Sequence, residues 1–376
     1  TSESPVEGKS SAFSGLQAKG YAVSRMFGLV LFAWMCWMVG SVGIQLTQPM
    51  VWIVLLGIIT INGVIFFTNR EVILAELKEN SKKILIVEAV GIAFFLAFLL
   101  VRLGNPDLWH PYKGGEKPMD FSYLNAVLKS TTFPPYDPWF AGGYINYYYY
   151  GFVIVGMPIK ALGINPSVAY NLVLAMLFSL FALVSFSIGT TLFSSIFKRK
   201  EGEKDQSFIG GISTAIMALV IGNFGTIQMI FDGLIRLGGG NDDLIAMGNF
   251  NAFFKGIGQK LQGVPWTFYP GDWYWIPSRM IPEEPITEFP YFTFLYADLH
   301  AHMIAMPITL LVVAWCISLL QNRMRWEGKF SWWKKIVALF SGALIVGALR
   351  PTNTWDLPVF LVLAALTLGY VLFANV

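Results

Sequence analysis

Charge is what this chain has least of: 13% of its residues are Asp, Glu, Lys or Arg, about half the share found in a soluble domain. Cysteine is nearly missing too. The two that occur, Cys36 and Cys316, lie in apolar runs, so a disulfide framework is excluded. Histidine appears only 3 times. No Walker-type loop, Rossmann fingerprint or nucleophile elbow is found, which removes the common nucleotide-dependent and hydrolase chemistries. What fills the chain instead is apolar: 55% hydrophobic and 16% aromatic residues, with a mean hydropathy of +0.57. This is the composition of an integral membrane protein, and the few polar residues carry the information.

A crossing helix needs about 20 predominantly apolar residues. Runs near 23–45, 49–68, 84–103, 168–197, 208–231, 300–320, 336–349 and 357–376 approach or meet that length, which predicts an all-α polytopic bundle of about eight transmembrane helices. Three connections are basic: Arg70, Lys78, Lys82 and Lys83; then Lys198, Arg199, Lys200 and Lys204; then Arg323, Arg325, Lys329, Lys334 and Lys335. The positive-inside rule places all three, and the N-terminus, on the cytoplasmic side of the cell membrane. The stretch 144–163 would break that parity if it crossed, and Asn146, Pro158 and Lys160 interrupt it. It therefore reads as an interfacial or re-entrant helix, its tyrosines at the boundary between wet and apolar surroundings. Residues 1–20, rich in Ser, Gly and Lys, read as a disordered cytoplasmic tail ahead of a membrane domain over 21–376. The outward loops are then 104–167, 232–299 and 350–356. They hold most of the acidic residues, so the net charge of +3 is distributed across the membrane and is no nucleic-acid signal.

The candidate chemistry lies in those loops. In Gly115-Glu-Lys-Pro-Met-Asp120, Pro118 and the apolar spacing that follows mark a helix start, with Glu116 and Asp120 at its N-terminal end. Carboxylates there are either ordinary caps or partly buried general bases. Pro134-Pro-Tyr-Asp-Pro-Trp139 holds Asp137 in a non-helical conformation beside Trp139. That is either a plain turn or a sugar platform, with the acid accepting hydroxyl hydrogens and the ring covering the apolar face of a pyranose. Asn146, Tyr147 and Tyr148 follow. Between Glu288 and the next apolar run comes Asp298-Leu-His-Ala-His302. In an extended backbone Asp298, His300 and His302 share a side; in a helix only Asp298 and His302 do. The histidines with Asp298 suit a divalent metal ion, or they hydrogen-bond neighbouring helices. Arg279 and Arg350 suit a phosphate near a membrane surface, although Arg350 could equally snorkel from a helix end. Arg350 opens a segment containing Asn353, Trp355 and Asp356.

Together, Gly-Glu-Lys-Pro-Met-Asp-Phe, Asp-Pro-Trp-Phe-Ala-Gly-Gly-Tyr-Ile-Asn-Tyr-Tyr-Tyr, Ile-Thr-Glu-Phe-Pro, Asp-Leu-His-Ala-His and Asn-Thr-Trp-Asp resemble the "YYY" membrane proteins of archaea and green filamentous bacteria, from about residue 20 to the end. Ala301 stands where that pattern has a proline. Members are usually longer, which implies that this chain is the N-terminal part of a larger one. That family is similar to GT-C glycosyltransferases, which use a polyprenyl-phosphate sugar. The similarity implies an inverting transfer on the extracytoplasmic face, with Glu116, Asp120 and Asp298 catalytic. Substrate contacts would come from Asp137, Trp139, Asn146, Tyr147, Tyr148, Arg279, Glu288, Arg350, Asn353, Trp355 and Asp356, with a metal at His300 and His302. The partners implied are the lipid-linked sugar, membrane lipid and other membrane subunits, with no nucleic acid. A non-catalytic membrane subunit is the alternative. A transporter is a weaker one, because ionisable groups inside the spans are scarce.

Overall fold

The computed structural model describes residues 12–110, 115–197, 205–240, 247–269, 271–279, 286–322 and 332–373. They are all-α, with no strand among the described residues. In chain order the helices are α1 (Ser24–Ser41), α2 (Gln48–Thr68), α3 (Arg70–Glu79), α4 (Ser81–Gly104), α5 (Lys117–Lys129), α6 (Tyr149–Leu162), α7 (Pro166–Ile196), α8 (Ser207–Ile216), α9 (Gly225–Leu237), α10 (Met247–Leu261), α11 (Asp272–Trp275), α12 (Pro290–Tyr296), α13 (Ala301–Gln321), α14 (Trp332–Thr352) and α15 (Leu357–Phe373). Six of these segments are long and apolar enough to cross a membrane, and a seventh exists if Ser207–Ile221 and Gly225–Leu237 make one broken crossing. The protein is an integral membrane protein. The last apolar run, α15, is 17 residues long over the described range.

Two compact units divide the chain, Thr1–Ile216 with Ala297–Val376, and Met217–Tyr296. In the first unit α7 is the central pillar. It starts on Pro166, with the Asn165 side chain capping Ser167 N, and runs 31 residues. Nearly nine-tenths of its most apolar window is buried, against 11% for α2 and 22% for α4. The large apolar side chains that α2 and α4 leave exposed, such as Phe67, Leu85 and Leu100, are the surface that meets acyl chains. Small residues let helices approach closely: a Cβ on Gly189 would lie 2.4 Å from the Thr214 hydroxyl of α8.

Three expectations are refined. The stretch 144–163 holds a helix of 14 residues, α6, shorter than the six long apolar helices; it is buried on most of its faces and ends at Gly163 with φ 65°. The run 208–231 is not one continuous helix. It passes through a π-helical turn at Met217–Ile221, then Gly222 at φ 65°, and restarts where Asn223 Oδ1 accepts from Gly225 N at 2.8 Å. Of the stretch 1–20 expected to be a disordered tail, the described residues 12–20 are ordered: Ala12, Phe13 and Leu16 are buried, and Gly15 N donates to Ser318 Oγ on α13.

The second unit packs α9 on α10 with backbones almost touching, since a Cβ on Gly256 would fall 1.8 Å from Leu234 O. Trp266, Phe268 and Trp273 cluster beside Gly233.

Candidate functional site

Helix α5 opens at Lys117 with Pro118 in its first turn, as the sequence spacing predicts. A helix start leaves backbone N–H groups without intrahelical partners, and the Glu116 side chain makes no capping bond here. The cap comes from elsewhere in the chain. Asp298 Oδ2 accepts from Glu116 N at 2.9 Å, while Asp298 Oδ1 receives Lys117 Nζ at 3.1 Å. This frees the Glu116 carboxylate, whose side chain is 58% exposed.

Asp298 is held by a short strained connection between α12 and α13. Ala297 sits at φ 67°, a left-handed conformation that costs a non-glycine residue about 1–2 kcal/mol. The Tyr170 hydroxyl, from inside α7, accepts from Leu299 N at 2.8 Å and donates to Ala297 O at 3.3 Å. His300 is extended, with φ −83° and ψ 163°, and α13 begins immediately after it.

The His300 ring occupies the centre. Its Nδ1 lies 2.9 Å from Glu116 Oε2 and 3.3 Å from Asp120 Oδ1, and its Nε2 lies 2.9 Å from the Tyr147 hydroxyl. Burial works against the imidazolium, but the hydrogen bond and charge of Asp120, with the charges of Glu116 and Asp298, outweigh it and raise the His300 pKa. Asp120 is fully buried. Burial pushes its carboxyl up to about 6 against the pull of His300, with Asp298 and Glu116 adding repulsion. Its Oδ2 has no hydrogen-bond partner. Burial, then the neighbouring Glu116, pushes Tyr147 up to about 12, so the phenol stays protonated.

Other expected residues border this centre. The His302 ring is 5.4 Å from that of His300, and its charge pulls against the burial that raises the Asp356 pKa; Asn353 Nδ2 donates to Asp356 Oδ2 at 2.9 Å. Tyr148 packs on Tyr147 with ring centres 4.7 Å apart. Trp139 docks on α5 through Nε1 to Ser122 Oγ at 2.9 Å, with Asp137 Oδ1 accepting its backbone N–H. Asn146, Arg350 and Trp355 are exposed. Arg279 and Glu288 are committed within the second unit, Arg279 stacking over Trp275 at 3.9 Å and Glu288 accepting from Thr293 Oγ1 at 2.8 Å. Among the described residues no three His, Cys, Asp or Glu side chains are arranged to hold a metal ion. Lys117 and His300 meet the acidic charge instead. Lys117 and Tyr170 were missed in the sequence. Lys117 lies inside the quoted motif, and Tyr170 is a hydroxyl within an otherwise apolar run.

Residues 31–376 match the family described as Uncharacterized membrane protein (DUF2298). The chain belongs to that family. The match covers every part of the cluster, from Glu116 to Asp356. No curated protein and no solved structure matches the chain.

Proposed function

We propose that this DUF2298 protein transfers a sugar from a polyprenyl-phosphate donor to an acceptor hydroxyl, with inversion, on the extracytoplasmic face of the cell membrane. The observation that carries this reading is the convergence of Glu116, Asp120, Asp298 and His300 from two distant segments at one end of the helices of one unit. Capping does not explain it, because Glu116 makes no cap and Asp120 is sealed in with an oxygen unpaired.

Glu116, the accessible carboxylate, takes the acceptor proton. The acceptor oxygen then bonds to the anomeric carbon as the bond to the phosphate oxygen breaks, and the lipid phosphate leaves with that electron pair. The charged His300 ring stands beside Glu116 and orients its carboxylate, and buried Asp120 fixes the ring and keeps it charged. Exposed Arg350 is the cation available to the leaving phosphate. Trp139 and Asp137 offer the sugar platform, and the lipid-facing side of α4, with Leu96 and Leu100 exposed, gives the prenyl chain an apolar path.

Protein reconstituted in vesicles with a polyprenyl-phosphate sugar tests this. A general base contributes about 10²–10⁴-fold, so Glu116→Gln reduces transfer at least about 100-fold. Glu71→Gln, on an exposed position of α3, leaves it unchanged. Full activity in Glu116→Gln refutes the assignment of the base. A wild-type protein that turns over no lipid-linked sugar and instead co-purifies stoichiometrically with other membrane proteins supports the subunit reading.

A further inference from the structure

At the end of the first unit away from the carboxylates, where α4 begins and α7 ends, lies a cavity of about 530 Å³. Its lining is mixed. Ile86, Val87, Phe186 and Phe208 make an apolar wall, while Lys78, Lys82 and Lys83 stand at the ends of α3 and α4. Two acidic residues also line it. Lys83 Nζ lies 3.8 Å from Asp205 Oδ2, which neutralises that pair. Glu79 remains against Lys78 and Lys82, and neither of these lysines has an ion pair among the described residues. The local charge is positive.

A second observation points to a ligand. Ser187, on α7, lines the cavity, is 2% exposed, and its Oγ has no hydrogen-bond partner. Hydroxyls on membrane helices normally bond back to a carbonyl three or four residues earlier. Thr190, Thr191, Ser194 and Ser195 on the same helix all do so. Ser187 does not. Ser185 is also unpaired but does not line the cavity. Ala18, which also lines the cavity, and Lys19 after it hold φ of 48° and 55°. Two successive left-handed non-glycine residues are the kind of backbone strain that collects at ligand clamps.

We propose that this cavity binds an anionic phospholipid. The headgroup phosphate sits between Lys78 and Lys82, the glycerol ester region meets the Ser187 hydroxyl, and the first acyl carbons run along Phe186, Phe208 and Ile86. A soluble phosphate would satisfy the lysines and leave the apolar wall uncovered. The volume lies in the range of built small-molecule sites, about 300–1,000 Å³. The cavity lies where the apolar helices α4 and α7 end, which in a bilayer spanned by them is the level of the headgroups.

Native mass spectrometry of the detergent-purified full chain, titrated with phosphatidylglycerol, phosphatidylcholine or free glycerol 3-phosphate, tests this. One saturable phosphatidylglycerol is expected, with weaker phosphatidylcholine binding and none of the free phosphate. Each cation near an anionic lipid contributes about fivefold, so Lys78→Gln with Lys82→Gln weakens phosphatidylglycerol binding at least about tenfold. Both positions are exposed, so the helices remain intact. Ser187→Ala weakens it about two- to tenfold, the range of one hydrogen bond. A phosphatidylglycerol carrying a photoreactive acyl chain labels peptides of α4 and α7. Equal binding by the double variant, equal affinity for phosphatidylcholine, equal affinity for free glycerol 3-phosphate, or labelling confined to other helices each overturns the proposal.

Discussion

Helices α4, α7 and α13 share two ends with opposite chemistry. At one end, side chains from positions about 180 residues apart in sequence meet as Glu116, Lys117, Asp120, Asp298 and His300, in contacts of 2.9–3.3 Å. At the other end the same helices close with hydroxyls: Ser318 donates to Ala12 O, Gln321 to Ser195, and Gln17 N to Thr191. The charges there, Lys78, Lys82 and Lys83 with Glu79 and Asp205, are spread around a cavity. A hydroxyl network stabilises a helix end without titrating. A buried cluster of carboxylates and imidazole makes stability and reactivity depend on pH, and a protein tolerates that where chemistry needs it. The contrast is why the proposed reaction is placed at the first end and the proposed lipid contact at the second.

Substitution at both ends should break that symmetry most visibly. Glu116→Gln reduces transfer by about 100-fold or more, whereas Lys82→Gln, at the far end, leaves the rate on saturating donor unchanged. Parallel initial-rate assays of the two variants decide it, and an equal loss in both would erase the distinction between the ends.

Next in size is Tyr170→Phe. The ring stays in its buried place, but Leu299 N loses its acceptor and Ala297 O its donor. A buried unsatisfied group costs about 1–3 kcal/mol, so thermal unfolding shifts down and transfer falls as Asp298 loosens. Thr190→Val at the other end should respond less, because there the substitution removes a bond to its own helix.

Titration separates the ends again. The folded pKa of His300 is raised, so its contribution is full below about pH 6.5 and fades as pH rises through the raised value. Asp120 is also raised, to about 6, so its protonated form favours the fold most at low pH, and that advantage is lost as pH rises through about 6. Both signs agree: melting temperature declines from pH 5 toward pH 8, and the double variant Asp120→Asn with His300→Gln flattens the decline. A slope unchanged in that variant would place the titration elsewhere. The smallest effect is at the rim. Trp139→Ala on the exposed sugar platform raises KM about two- to tenfold with kcat unchanged.

These contrasts were unevenly legible in the amino-acid sequence. The membrane helices were plain, since runs such as 49–68 and 301–320 contain almost nothing polar, and backbone satisfaction in lipid leaves few alternatives to helix. The acidic residues stood out because charge is so scarce. Their partners did not: Lys117 pairs with Asp298 across 181 positions, and no local spacing encodes that. Tyr170 hid inside an apolar run, where a tyrosine reads as packing. The break at 222–224 was invisible to hydropathy because Phe224 and Ile221 keep the run apolar, while Gly222 and Asn223 supply the turn and the cap. Residues 12–20 looked like a tail by composition, yet the missing side chain of Gly15 is what lets it approach Ser318.

The central claim is that Asp298 reaches back to the start of α5 and organises the charged end. A double-mutant cycle on Lys117 and Asp298 tests it most directly, since their side chains are 10% and 12% exposed and removing one partner strands a buried charge at roughly 3–5 kcal/mol. Lys117→Met and Asp298→Asn each lower the melting temperature and the transfer rate, and combined they recover much of the lost stability. Strictly additive losses in the double variant would mean the two residues do not touch, and the site assembled around them would not exist.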